Sequence, residues 1–189
     1  MSTSLIDDLL ADARESMGKA VDATRGKFGS VRTGRASPAL LDRIVVDYYG
    51  VSTPLRQLAT INVPESRMLT IQPYDKGSFK AIEKAIVQSD VGLTPSNDGT
   101  IMRLIIPDLN EERRRDLVRV VRGLAEDGRV AIRNIRRDTM SDLRELKEAG
   151  EAGADDEHRA EEALQRATDD SVKSLDAILK GKEEEILEV

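Results

Sequence analysis

Residues 107–147 read PDLNEERRRDLVRVVRGLAEDGRVAIRNIRRDTMSDLRELK, and the fold turns on them. After Pro107, apolar side chains recur at helical spacing to about residue 147. Asp108 and Asn110, followed by Glu111 and Glu112, supply cap residues and acids matched to the helix dipole. About 38 residues at ~1.5 Å each make a rod of nearly 60 Å. With Arg115 at 0° and about 100° per residue, Arg119, Arg122, Arg129, Arg133, Arg136 and Arg137 share with it an arc of about 100°. Leu117, Val120, Val121, Leu124, Ala131, Ile132 and Ile135 fall between about 140° and 260°. One side of the rod is apolar, and the opposite side is an arginine ladder.

Working outward, residues 4–31 carry Ile6, Leu10, Ala13, Met17, Ala20, Val21, Phe28 and Val31 at the period of a second amphipathic helix, with Ser4 and Asp7 as its capping start. A loop at 148–153 leads to a third, beginning near Asp155 or Asp156, with Ala160, Leu164, Ala167, Leu175, Ile178 and Ile186 on one face. Between the first two helices the pattern changes. Residues 44–49, 60–63, 68–71 and 101–106 read as short strands punctuated by Gly50, Pro64, Pro73 and the turn-rich stretch 95–99, and Phe79, Ile82, Ala85 and Ile86 mark a helix of about three turns. No helix hides its stripe alone, so the economical α+β fold is an antiparallel three-helix bundle over 1–33 and 108–189. A small β/α/β domain over 34–107 is inserted between the first and second long helices. Two short crossings, at Arg32, Thr33, Gly34 and Arg35 and at Ile106, Pro107 and Asp108, join the modules and read as hinges.

The chain has 189 residues, enough to bury a core without staples. It has no cysteine and one histidine, which removes disulfides, thiolate metal sites and cysteine nucleophiles and leaves almost nothing for histidine chemistry. His158 sits among Asp155, Asp156 and Glu157 and reads as a solvated residue rather than a metal ligand. Gly26-Lys27 and Gly181-Lys182 lack the spacing of a P-loop, and no GxGxxG occurs. Paired carboxylates lie at helix ends or on exposed faces. The expectation is a non-enzymatic protein without cofactor or metal. No apolar run reaches the ~18 residues of a membrane span, and the first residues are too acidic for a signal peptide, so a soluble cytoplasmic protein is expected.

The net charge of −6 argues at first against a nucleic-acid partner. Its distribution reverses that: 113–147 is strongly basic and 148–189 strongly acidic. Steering follows the local field rather than the sum. The ladder is all arginine, whose planar fork suits bidentate phosphate contact, and few acids are spaced to pair with it. Glu126 lies on the arc and can neutralise one neighbour or two. The acidic third helix could bind the ladder internally, but a three-helix bundle leaves outer faces free. Phe28, Tyr48, Tyr49, Tyr74 and Phe79 are the only rings, and each reads as core packing, so base stacking is not expected. Folded RNA read through backbone and shape fits best, although charge alone does not exclude DNA. A coiled-coil scaffold whose charged faces bind another protein's helix is the alternative. At the first crossing, Gly34 can be an ordinary left-handed helix cap, or Arg32 and Arg35 can flank a hinge that touches RNA or sets the domain angle.

Arg32-Thr-Gly-Arg-Ala-Ser-Pro38, Leu40-Leu41-Asp42, Val45-Val46-Asp47-Tyr48-Tyr49-Gly50, Thr53-Pro54-Leu55-Arg56-Gln57-Leu58-Ala59, Glu111-Glu112-Arg113-Arg114 and Val130-Ala131-Ile132-Arg133-Asn134-Ile135-Arg136-Arg137-Asp138 occur in this order. Across essentially the whole chain they resemble the ribosome recycling factor family. The resemblance implies an L-shaped two-domain monomer of near-tRNA size. It implies action after termination: with elongation factor G and GTP, the family splits the 70S ribosome into subunits and frees messenger RNA and tRNA. The partners implied are 23S rRNA of the large subunit and elongation factor G, with no DNA and no membrane. By residue matching, the RNA-contacting arginines fall on Arg133, Arg136 and Arg137, with Arg129 nearby; the ladder adds Arg122. Two departures are mild. The second crossing keeps a single proline, Pro107, and Asn110 stands where a threonine is common.

Overall fold

A computed structural model of the chain describes residues 2–188, with side chains described over 5–188. The long helices are α1 (Ser2–Gly29), α4 (Glu111–Glu148) and α5 (Ala154–Leu187). Between α1 and α4 come β1 (Val45–Tyr48), β2 (Val51–Pro54), the single turn α2 (Leu55–Leu58), β3 (Ala59–Glu65), β4 (Met68–Pro73), α3 (Phe79–Gln88), β5 (Ser96–Asn97) and β6 (Met102–Ile105). The capping start expected at Ser4 lies outside the described side chains. The chain forms two compact units, Met1–Lys27 with Arg119–Lys182, and Phe28–Val118 with Glu183–Val189.

The first unit is a three-helix bundle. Ile6, Leu10, Ala13, Met17 and Val21 of α1 meet Val121, Ala125, Ile132 and Leu143 of α4 and Ala160, Leu164 and Leu175 of α5 in its buried interior. Leu5 and Leu9 share a groove with Leu146, while Thr24 lies against Gly128, so α1 and α4 run antiparallel. The Lys147–Glu157 ion pair near the connecting loop, and Arg129 beside Asp176, set α5 antiparallel to α4. Three threonines are buried here, and each hydroxyl donates to the carbonyl four residues back: Thr24 to Ala20, Thr139 to Ile135 and Thr168 to Leu164. Their polar groups enter the core satisfied.

The buried face of α4 is rotated from the expected one. Val120 is 49% exposed, whereas Ala125, Gly128, Thr139 and Leu143 are buried. On the same wheel the buried stripe therefore centres near 240° rather than 200°. The helix starts where the Asn110 carboxamide accepts the Arg113 N–H at 2.8 Å; Asp108 does not cap it but pairs with Arg67. It stops in a Schellman motif. Gly150 has φ 73°, its N–H reaches the Lys147 carbonyl, and the Glu151 N–H reaches the Leu146 carbonyl.

The second unit holds an antiparallel sheet in the order β3-β4-β6-β5, a separate β1-β2 hairpin, and α3. Leu41, Val46, Leu55, Leu69, Ile71, Ile82, Ile86, Met102, Leu104 and Ile106 are fully buried in its core. Pro64 sits inside β3 where the register slips between Asn62 and Glu65, a bulge that spares the ladder its missing N–H. Tyr49 (φ 49°) and Gly50 (φ 82°) make the two-residue turn of the β1-β2 hairpin. Tyr49 and Tyr74 are 74% and 71% exposed, so these two rings are not core as expected. The first occupies a hairpin turn and the second follows the end of β4. Tyr48 and Tyr49 instead direct their hydroxyls to Asp75 Oδ2, at 3.1 and 3.2 Å. Phe28, Leu117 and Ile186 are buried, and the ends of the long helices that carry them belong to this unit, whereas the expected insert covered 34–107 only.

Candidate nucleic-acid interface

The outer face of α4 in the first unit presents Arg122, Arg133, Arg136 and Arg137 to solvent, with Arg129 at its margin. The helix puts them there because its apolar and small residues, from Val121 through Gly128 and Ile132 to Leu143, turn the opposite side inward. Arg136 makes no ion pair among the described residues. Among the described residues Arg137 reaches only its neighbour Asp138, at 3.2 Å. Arg133 is 55% exposed, and its Nη2 lies 2.5 Å from Glu126 Oε1. Arg122 is exposed but engaged in an interaction within the protein. Arg115 belongs to the second unit, where it pairs with Glu111 at the start of α4.

Arg129 differs from the rest. Its side chain is 24% exposed; Nη2 and Nε both donate to Asp176 Oδ1 of α5, at 2.5 and 3.0 Å, and Nη1 donates to Glu126 Oε2 at 3.2 Å. The cause is the rotation of the buried face: Arg129, near −40° on the wheel, ends close to the edge of the core and within reach of the neighbouring helix. Sequence reading allows that the acidic helix binds the ladder internally, and at Arg129 it does. Glu126 serves both Arg129 and Arg133, and their hydrogen bonds hold its carboxyl below the usual glutamate range. Acids thus neutralise part of the face, while the exposed Arg136 keeps its donors out of any ion pair among the described residues and the exposed Arg137 gives Nε and Nη2 to Asp138. Such donors suit phosphate oxygens spaced along a folded nucleic acid.

The expected hinge residues all lie in the second unit, and Thr33, Arg35, Ile106 and Asp108 have partners there. Thr33 is 1% exposed, and its hydroxyl donates to Glu185 Oε1 at 2.5 Å. Gly34 has φ 84° but follows the end of α1 by several residues, so it shapes the crossing rather than capping the helix. Arg35 lies 3.4 Å from Glu188, the Ala36 N–H donates to the Ser66 carbonyl at 2.8 Å, and Arg32 is half-buried. At the second crossing the Ile106 N–H donates to the Arg67 carbonyl at 2.8 Å, Asp108 pairs with Arg67, and Pro107 is exposed. Sequence reading missed Asp176, Glu185 and Glu188. Each is distant along the chain from its arginine or threonine, and no local pattern marks it. His158 lies 3.4 Å from Glu162 on the exposed side of α5. Among the described residues, no group of three His, Cys, Asp or Glu side chains is arranged to hold a metal, and no helix is long and apolar enough to cross a membrane.

A model of the ribosome recycling factor family matches residues 24–187. The chain is 51% identical over 185 residues to the ribosome-recycling factor of Mycobacteroides abscessus, covering 98% of this chain and 100% of that one. It is 53% identical over 180 residues to that of Rubrobacter xylanophilus, covering 95% and 97%. A solution structure of the ribosome recycling factor superposes with a TM-score of 0.80 at 38% identity, covering 97% of this chain and 98% of the other. A second structure gives 0.69 at 46% identity, covering 96% and 98%. It describes the T. thermophilus ribosome recycling factor and the E. coli elongation factor G bound to the E. coli post-termination complex. With matching blocks across nearly its whole length, two such superpositions and an arginine-faced bundle helix, the chain belongs to the ribosome recycling factor family.

Proposed function

We propose that this protein binds the post-termination 70S ribosome and, together with elongation factor G and GTP, splits it into subunits, so that messenger RNA and tRNA leave. The related T. thermophilus factor, described with elongation factor G on a post-termination complex, supports that partnership. The observation that carries the reading is the outward face of α4, where Arg133, Arg136 and Arg137 stand together and Arg136 is free of ion pairs among the described residues. These guanidinium groups hold 23S rRNA by its phosphates, with affinity that falls as salt rises. The factor acts as a cytoplasmic monomer and hydrolyses nothing itself. The GTPase supplies the drive, and the factor converts it by making contacts that differ between joined and separated subunits. The crossings at 32–35 and 106–108 serve as the elbow.

The test is sedimentation of post-termination ribosomes incubated with this protein, elongation factor G and GTP. The parent releases subunits, and Arg136→Ala releases markedly fewer at the same concentration. Equal release by both proteins overturns the role given to the arginine face.

A further inference from the structure

Within the first unit Glu126 is the acid on the arginine arc of α4, and its two oxygens are divided between two arginines in different situations. Arg129 is held on its other side by two hydrogen bonds to Asp176 and is largely shielded. Arg133 has Glu126 as its ion-pair partner and is more than half exposed. We propose, resting on the reading that this face binds ribosomal RNA, that Glu126 is a specificity-determining residue: it occupies Arg133 until phosphates arrive in the right arrangement, and so suppresses binding to flexible RNA.

The geometry makes the exchange cheap in one setting and unfavourable in another. An exposed ion pair is weak, so a phosphate can take Arg133. Glu126 then keeps a partner, because Asp176 fixes Arg129 within its reach. A folded groove that meets Arg136 and Arg137 at the same time offsets the loss of the Arg133–Glu126 pair through those added contacts. A flexible strand touching Arg133 alone must compete with a carboxylate already tethered beside it, and its phosphates are repelled by that charge. Discrimination through a repulsive element of this kind lowers affinity for the wrong ligand more than for the right one.

The experiment titrates the full-length parent, Glu126→Gln and Arg136→Ala with poly(U) and, separately, with purified large ribosomal subunits over a range of salt concentrations. Glu126→Gln is expected to bind poly(U) about two- to fivefold more tightly. Its log affinity should fall with log salt more steeply by about 0.7. Its affinity for large subunits should change by a smaller factor, narrowing the preference. Unchanged poly(U) affinity and salt slope overturn the proposal, as does an equal gain on both ligands. Glu126→Ala, which also removes the charge, must move poly(U) binding in the same direction, and movement the other way overturns it too. Arg136→Ala separates the two levels. If it loses large-subunit affinity, the RNA-binding reading stands and an unresponsive Glu126→Gln sinks this proposal alone. If it loses none, that reading falls and the proposal with it.

Discussion

The hydroxyl oxygen of Thr24 on α1 lies 2.5 Å from the place a Cβ on Gly128 of α4 would occupy, and Leu175 Cδ1 of α5 lies 2.6 Å from the same point. Three helices converge on a residue that has no side chain. Glycine inside a helix ordinarily costs about 1 kcal/mol against alanine, so propensity alone favours replacing it. Here the added methyl has nowhere to go. Thr24 is β-branched and bonded to the Ala20 carbonyl at 3.0 Å, so its side chain cannot swing aside without losing that bond. Gly128→Ala should therefore lower stability by about 1–2 kcal/mol in urea unfolding, the overpacking cost exceeding the propensity gain. Gly123, exposed on the same helix with nothing within 4 Å of its hypothetical Cβ, is the control. Gly123→Ala should raise stability by up to about 1 kcal/mol. A stabilised Gly128→Ala would contradict the close approach of the three helices.

Asp98 gives the β5-β6 hairpin a dependence on pH. Its carboxylate accepts the N–H groups of Ile101 and Thr100, at 2.9 and 3.0 Å, and an Arg103 guanidinium N–H at 3.0 Å. These donors, the backbone pair foremost, lower its pKa from 3.8 to about 2. A carboxyl depressed in the folded state adds stability above its unfolded pKa and loses it as pH falls through the folded value. Asp98→Ala should therefore unfold more readily than the parent at pH 6, and the gap should close between about pH 4 and pH 2. Urea midpoints measured at pH 6, 4, 3 and 2 check this; a gap independent of pH would assign the loss to something other than the charge.

The long helix could be read from the sequence because 38 residues repeat one apolar period, and at that length a stray residue does not alter the pattern. The hairpin strand Val51–Pro54 and the two-residue strand Ser96–Asn97 could not, since neither is long enough to show an alternation. Their pairing comes from neighbours: the Tyr49-Gly50 turn returns one onto β1, and β6 supplies the partner of the other. The arginine arc was visible on a helical wheel, but which rung would be taken by an acid was not. That depends on how far α4 is rotated into the bundle, a property of Gly128, Thr24 and Leu175 together rather than of the helix alone. Thr33 and Glu185, 152 residues apart, show the same limit. A buried hydroxyl signals that it needs a partner, and only the tertiary fold says which.

Gly34 offers a test of the first crossing. Its φ of 84° lies in the region where a side chain meets its own carbonyl. Beside it, Thr33 is buried and bonded to Glu185, so the backbone cannot relax freely toward negative φ. Gly34→Ala should cost about 1–2 kcal/mol in thermal or urea unfolding. Retention of full stability would mean that the crossing adopts another backbone conformation at no cost, and would weaken the case for a defined elbow there.

The arginines of α4 should separate into those that hold the fold and those that hold the ligand. Arg129 is shielded and gives three hydrogen bonds, two of them to another helix. Its loss removes a link between α4 and α5 and leaves Asp176 without those donors. Arg129→Ala should thus lower stability by about 1 kcal/mol, discounted for the partial exposure of the acids. Arg136 has no ion pair to lose among the described residues, so Arg136→Ala should unfold within about 0.5 kcal/mol of the parent. On the ribosome the order reverses. Arg136→Ala should weaken large-subunit binding and reduce the salt slope by about one unit, the signature of one lost phosphate contact. Arg129→Ala should keep most of that slope, because its guanidinium is already committed to carboxylates. Unfolding curves and salt titrations on the same two variants decide the matter. Equal stability losses would contradict the distinction drawn from burial, and equal slope losses would make Arg129 a phosphate contact despite its two acids.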